Sequence, residues 1–119
     1  MKKLLSVALA LAIALGVAAQ QPAQKQFRIY GLAFYNLENL FDTINNNGKY
    51  DLEFSPRGQR QWNSDKYWSK INNLAYTIAN MTSKTTPNGP AVIGVSEIEN
   101  RSVLEDLVKA RDVRGRMYQ

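Results

Sequence analysis

Residues 91–95 (Ala-Val-Ile-Gly-Val) constrain this chain more than any other segment. They form a continuous apolar run between the turn-rich stretch Thr86-Pro87-Asn88-Gly89-Pro90 and the polar pair Ser96-Glu97. Such a run suits a β-strand covered on both faces, as in a parallel sheet. Parallel strands need long crossovers, and the neighbouring segments have helical periodicity. Trp68, Ile71, Ala75, Ile78 and Thr82 recur at helical spacing, with Leu74 and Met81 beside them. This predicts a helix over 65–83 capped by Ser64. Beyond the strand, Ser102 and Glu105 have the spacing of a capping box. Val103, Leu104, Leu107 and Val108 form the buried face of a second helix, which ends in Lys109, Arg111 and Arg114 and breaks at Gly115. Residues 116–119 read as the start of a further strand.

Upstream, residues 27–36 (FRIYGLAFYN) are rich in aromatic and β-branched types and predict another strand. Gly31 within it marks a bulge or a close backbone approach. Residues 37–63 hold no period and carry turns at 45–48 and 55–58, the pattern of a functional loop or a partly disordered one. Fitting an EF-hand around Gly48 puts Thr43 first and Phe54 last, so the carboxylates it requires are missing. Strand, loop, helix, strand, helix and the start of a strand predict an α/β layered fold. The main buried cluster is expected to be Val92, Ile93, Val95, Trp68, Ile71, Ile78, Leu104 and Leu107.

The N-terminus has a separate role. Met1-Lys2-Lys3 precedes an apolar run over 4–17, and the small residues Val17-Ala18-Ala19 precede Gln20. This is the order of a cleavable export signal over 1–19. The run falls short of the roughly 20 residues that span a bilayer. Residues 20–26 form a polar linker, and 27–119 form the domain. The expected location is secreted or periplasmic, with no membrane association after signal removal. About 100 residues remain, room for one small domain.

The sequence of 119 residues contains neither Cys nor His. Disulfides, thiolate zinc sites, imidazole bases and His ligation are therefore excluded from this chain. Hydrolytic chemistry here must use carboxylates, amides, hydroxyls or a hard cation. The net charge of +5 falls by two when Lys2 and Lys3 are removed. That mild surplus suits a phosphate-bearing partner but also an ordinary soluble protein. Asn80-Met81-Thr82 and Asn100-Arg101-Ser102 match the glycosylation pattern by chance.

Glu97 is the leading candidate for chemistry. A carboxylate at the C-terminal end of a buried strand sits where α/β proteins place ligands. The same position also suits an ion pair with Arg101 or a turn cap. Asn36 ends the first predicted strand, with Glu38 and Asn39 just beyond. This group fits metal or phosphate orientation, and it also fits ordinary turn chemistry.

Residues 34–42 (FYNLENLFD) and 90–108 (PAVIGVSEIENRSVLEDLV) together carry a family pattern. Residues 53–56, Trp62 and Tyr67 accompany it. Over residues 27–108 the chain resembles the N-terminal part of exported bacterial proteins of the endonuclease/exonuclease/phosphatase superfamily, with the deoxyribonuclease-I-like fold. The resemblance implies a partial layered α/β sandwich. It implies metal-dependent phosphoester hydrolysis, with a divalent metal of the magnesium type and a phosphoester or nucleic-acid substrate. By motif position, Asn36 would lie in the active site, Glu97 would ligate the metal, and Glu38 would fall where some relatives carry an Asp near it. DNA, RNA, sphingolipid and sugar phosphates are all substrates of relatives. The family's catalytic His and its later Asp and Asn motifs have no counterpart in this sequence. The chain is therefore expected to be inactive alone. A non-catalytic exported α/β binding module and a non-functional truncation are the alternative readings.

Exported material should begin at Gln20. N-terminal sequencing that finds Met1 on the exported product would contradict the signal assignment.

Overall fold

The computed structural model describes residues 25–44 and 52–119. The expected signal, most of the linker and the turn at 45–48 lie outside the described residues. The described chain is mixed α/β, with a two-stranded parallel sheet and two helices. Strand β1 is Gly31–Leu40, helix α1 is Ser64–Ala79, strand β2 is Pro90–Ile98 and helix α2 is Arg101–Lys109.

β1 and β2 pair in parallel, with Leu32 opposite Val92, Tyr35 opposite Val95 and Asn36 opposite Ser96. β1 starts and ends later than the sequence predicts. Residues 27–30 belong to no strand among the described residues, and Phe27 is exposed. The close approach expected at Gly31 is present, since a Cβ there would lie 3.0 Å from the Pro90 Cα. The ladder slips between Gly31 and Leu32 at the same place.

The helices cover one face of this sheet. Leu37, Leu40, Ile71, Val103 and Val113 are the largest fully buried side chains, and Ile93, Val95 and Leu104 pack partly against them. The other face carries Leu32, Phe34 and Val92, exposed by 80%, 73% and 59%. The expected burial of β2 on both faces is therefore corrected among the described residues. Alternate strand residues point to opposite sides, and both helices lie on the Ile93 and Val95 side. Phe34 instead lies over Gly94, where a Cβ would come within 2.9 Å of its ring.

One further member of the expected core is displaced. Trp68 is 47% exposed, and Tyr67 takes the buried position. Tyr67 tolerates burial because its hydroxyl donates to Asp106 Oδ2 at 2.6 Å, joining α1 to α2. The predicted positions Ile71, Ala75 and Ile78 are buried on the face of α1, only the first contact moves from Trp68 to Tyr67, and Thr82 lies outside the helix.

The helix ends differ for one reason: asparagine competes for backbone groups better than the predicted caps do. Asn63, not Ser64, caps α1, accepting from the Lys66 N–H at 3.0 Å. Asn80 closes it, its side chain donating to the Tyr76 carbonyl at 2.7 Å. Asn100 caps α2 by accepting from the Val103 N–H, while Ser102 donates to the same amide oxygen at 2.6 Å. Glu105 binds Arg101 at 2.8 Å, so the expected capping box does not form. Residues 114–116 form a 3-10 turn, and 116–119 are not a strand. Arg116 donates to the Ala79 carbonyl at the end of α1, and the Tyr118 hydroxyl donates to the Pro90 carbonyl.

Ile71→Ala should destabilise the chain by about 2–5 kcal/mol, and Val92→Ala by less than about 0.5 kcal/mol, in urea denaturation. Burial, and after it the Asp106 carboxylate, raise the Tyr67 phenol above the usual tyrosine range. The folded state thus favours the neutral phenol. Its contribution is intact below about pH 10 and is lost as pH rises further, when the unfolded chain's phenol ionises first. Tyr67→Phe should flatten this alkaline loss of stability, measured as the urea midpoint against pH.

Candidate functional site

The site begins with two leucines. Leu37 and Leu40 are both fully buried, yet positions three apart in a regular strand face opposite sides. The chain must bulge between them to send both into the core. The register records this bulge: Asn36 opposes Ser96 and Leu40 opposes Ile98, so Leu37, Glu38 and Asn39 stand across from Glu97 alone. Glu38 and Asn39 accordingly take positive φ values of 51° and 58°.

Glu97 has a positive φ as well, 57°. In a regular ladder Asn36 and Glu97 would face opposite sides of the sheet. The bulge on one strand and the positive φ on the other bring them together. Asn36 Nδ2 donates to Glu97 Oε1 at 2.8 Å, and the Glu38 N–H donates to Asn36 Oδ1 at 2.7 Å. A positive φ at a residue with a Cβ costs roughly 1–2 kcal/mol. Conformations of this kind concentrate at functional sites. Three occur here, within two adjoining strand ends.

Lys70, on α1, closes the group from the helix side. Its ammonium donates to the Glu38 carbonyl and, at 3.3 Å, to the Asn39 carbonyl. It also lies 5.7 Å from the centre of the Trp62 ring. Partial burial lowers the Lys70 pKa, an effect opposed by the charges of Glu38 and Glu97.

A second set of bonds ties the segments that follow the two strands. The Glu99 N–H donates to the Leu40 carbonyl at 3.1 Å, and Glu99 Oε2 accepts from the Asp42 N–H at 2.8 Å. Asn100 donates to Asp42 Oδ2 at 2.9 Å, and Trp62 Nε1 donates to the Phe41 carbonyl at 3.0 Å. Phe41 stacks on Phe54, which anchors the loop before α1 to the same end of the sheet.

Arg101 pairs with Glu105, not with Glu97. Among the described residues, Glu97 forms no ion pair with a Lys or Arg within 4.0 Å. The structure thus brings Asn36 and Glu97 into contact. Glu38 joins them through its backbone, while its carboxylate is exposed and accepts no hydrogen bond among the described residues. Lys70 and the Asp42–Glu99–Asn100 set are absent from the sequence reading. No periodic or motif signal links Lys70 to a strand end some thirty positions away.

The described residues contain no cluster of three or more His, Cys, Asp or Glu able to hold a metal ion. The donors present are the Glu97 carboxylate and the Asn36 amide oxygen, which has a second lone pair beside the one the Glu38 N–H uses. Magnesium is commonly bound through one or two carboxylates and keeps several waters, so this oxygen set suits it. It does not suit an enclosed calcium site, which takes six to eight oxygens.

A family model for the endonuclease/exonuclease/phosphatase family matches residues 31–119, starting at the first residue of β1. The chain belongs to this family. Its members are hydrolases of phosphoesters, nucleic acids among them, and generally depend on divalent metals. No curated protein and no solved structure gives a significant match. No helix of the described residues is long and apolar enough to cross a membrane.

Glycine at position 97 should be more stable than alanine by about 1 kcal/mol, because both lack the carboxylate and only alanine keeps the strain. Urea denaturation of Glu97→Gly and Glu97→Ala measures the difference directly.

Proposed function

We propose that this chain carries the metal-holding half-site of a metal-dependent phosphoesterase, a nuclease or phosphatase acting by attack of water on phosphorus. One observation carries the reading: Asn36 and Glu97 are hydrogen-bonded where the regular ladder of two parallel strands gives way to the bulge, each near positive-φ backbone. Glu97 is exposed, and its side-chain bond goes to an amide and not to a Lys or Arg within 4.0 Å among the described residues.

In this reading Glu97 is the metal ligand and Asn36 contributes its amide oxygen, with Glu38 a further donor alongside. A divalent cation held there would polarise a phosphoryl oxygen as a Lewis acid and offset the negative charge that develops during attack. The chain's own residues do the rest. Asn36 fixes the Glu97 carboxylate through Oε1, and the Glu38 N–H fixes the Asn36 amide in turn. Lys70 adds positive potential at the same end of the sheet, favourable to a phosphate.

The sequence contains no histidine. A positioned base contributes some 10²–10⁴-fold to rate, and none of the imidazole type is present. The same observation favours a second reading, a non-catalytic exported α/β module that binds a phosphoester without hydrolysing it. Export itself rests on the basic, apolar and small-residue order of residues 1–19.

Manganese, a paramagnetic stand-in for magnesium, should broaden the backbone NMR signals around Asn36 and Glu97 first. Glu97→Gln should weaken that binding at least tenfold or so, as loss of a direct ligand must exceed loss of a supporting contact. Broadening centred elsewhere, or unchanged in Glu97→Gln, overturns the metal assignment. The 119-residue product with magnesium should not hydrolyse DNA or a simple phosphate monoester above the uncatalysed rate. Turnover at enzymatic rates would show that the site needs no imidazole.

A further inference from the structure

We propose that Lys70 is a positioning residue: it holds the bulge of β1 in the one conformation that aims Asn36 at Glu97. The proposal deepens the reading of that pair as a metal-holding site, and rests on it for its functional meaning.

One chain of hydrogen bonds connects Lys70 to Glu97. The Lys70 ammonium donates to the Glu38 carbonyl, the Glu38 N–H donates to Asn36 Oδ1, and Asn36 Nδ2 donates to Glu97 Oε1. Each link fixes the donor or acceptor of the next. Lys70 also reaches the Asn39 carbonyl, which the Phe41 N–H meets at 3.0 Å as well, so two adjacent carbonyls, both from residues at positive φ, converge on a single ammonium. Convergent carbonyl dipoles repel one another unless a donor meets both. A cation that meets both makes the bulge favourable where its backbone is otherwise strained.

The position of Lys70 is not explained by an ion pair. Among the described residues its ammonium has no carboxylate within 4.0 Å, and its bonds go to main-chain oxygen. Partial burial works against the charge, so the ammonium gives up hydration to sit there. Leu37 and Leu40 anchor the bulge from the core side, but they act only on the residues flanking it. Glu38 and Asn39 themselves are exposed, and Lys70 is the side chain that bonds their carbonyls. Lys66, one turn earlier on α1, donates instead to the Arg60 carbonyl in the preceding loop.

Through-space charge and positioning make opposite predictions. As a nearby positive charge alone, Lys70 repels a cation at Glu97, so removing it should tighten metal binding. As a positioning residue, its removal should loosen binding, because the carboxylate loses its fixed orientation. Supporting contacts of this kind are worth roughly 10–100-fold in metal affinity.

The test uses the full chain, labelled with ¹⁵N, as wild type, Lys70→Met, Lys70→Arg and the control Lys66→Met. Met keeps the apolar stem and the helix propensity while removing the donors. Without any metal, Lys70→Met should move the Asn36 side-chain amide signals towards those of a solvated amide and speed their exchange with water several-fold. Lys70→Arg should restore them in large part, and Lys66→Met should leave them unchanged. With manganese, Lys70→Met should bind about tenfold or more weakly. If Lys70→Met fails to fold, Lys70→Gln, which keeps a shorter neutral donor, is read in its place and should give an intermediate effect. Asn36 signals unchanged in Lys70→Met, or manganese binding that tightens, overturns the proposal. Wild-type chain that binds no manganese overturns the metal reading, while the Asn36 signals still decide the role of Lys70.

Discussion

The arrangement of the site depends on the burial of two leucines at an interval that a strand cannot accommodate. Leu37 and Leu40 both reach zero exposure. Burying a leucine is worth roughly 1.5–3 kcal/mol. A positive φ at a residue with a Cβ costs about 1–2 kcal/mol. The two burials are thus large enough to sustain the bulge that carries Glu38 and Asn39 at positive φ. From that bulge follow the bond from the Glu38 N–H to Asn36 and the meeting of Asn36 with Glu97. The hydrophobic core thereby positions polar groups that it never touches.

The helices turn this local geometry into a stable frame. α1 contributes Ile71, Leu74 and Ile78 to the core on one side and Lys70 to the bulge on another. α2 is held at the same end of the sheet by Asn100, which caps the helix and also donates to Asp42 beyond β1. The Tyr67–Asp106 bond then locks the two helices together. Polar groups that would be costly if left unpaired in a half-buried setting are satisfied by one another. The opposite face of the sheet differs, since Leu32, Phe34 and Val92 lie open on it.

Much of the fold was legible because it rests on short-range pattern. Heptad-like spacing located both helices, an apolar run located β2, and Gly31 announced the close approach to Pro90. The errors fell where local candidates compete. Asn63 and Asn100 displaced Ser64 and Ser102 as caps, because a neighbouring amide satisfied N–H groups of the first turn. Tyr67 displaced Trp68 because its hydroxyl had a distant partner in Asp106, which no local pattern on α1 discloses. The aromatic character of residues 27–30 resembles a strand, although nothing pairs with them among the described residues, so β1 begins later than that pattern predicts.

The sequence by itself determined the α/β class, the parallel strands joined by a helix, and the family pattern that contains Asn36 and Glu97, although β1 runs four residues past Asn36. Those properties follow from residue type and spacing, which act over a few positions. It also determined that these 119 residues themselves supply no imidazole or thiol. Only the tertiary structure decided that Glu97 meets Asn36 and not Arg101. That choice depends on the β1–β2 register, on a bulge forced by Leu37 and Leu40, and on a positive φ at Glu97. Only the tertiary structure could bring in Lys70, since its place under the bulge depends on how α1 packs against the sheet. Register and packing are set by contacts between segments far apart in the chain, and those are absent from any local pattern.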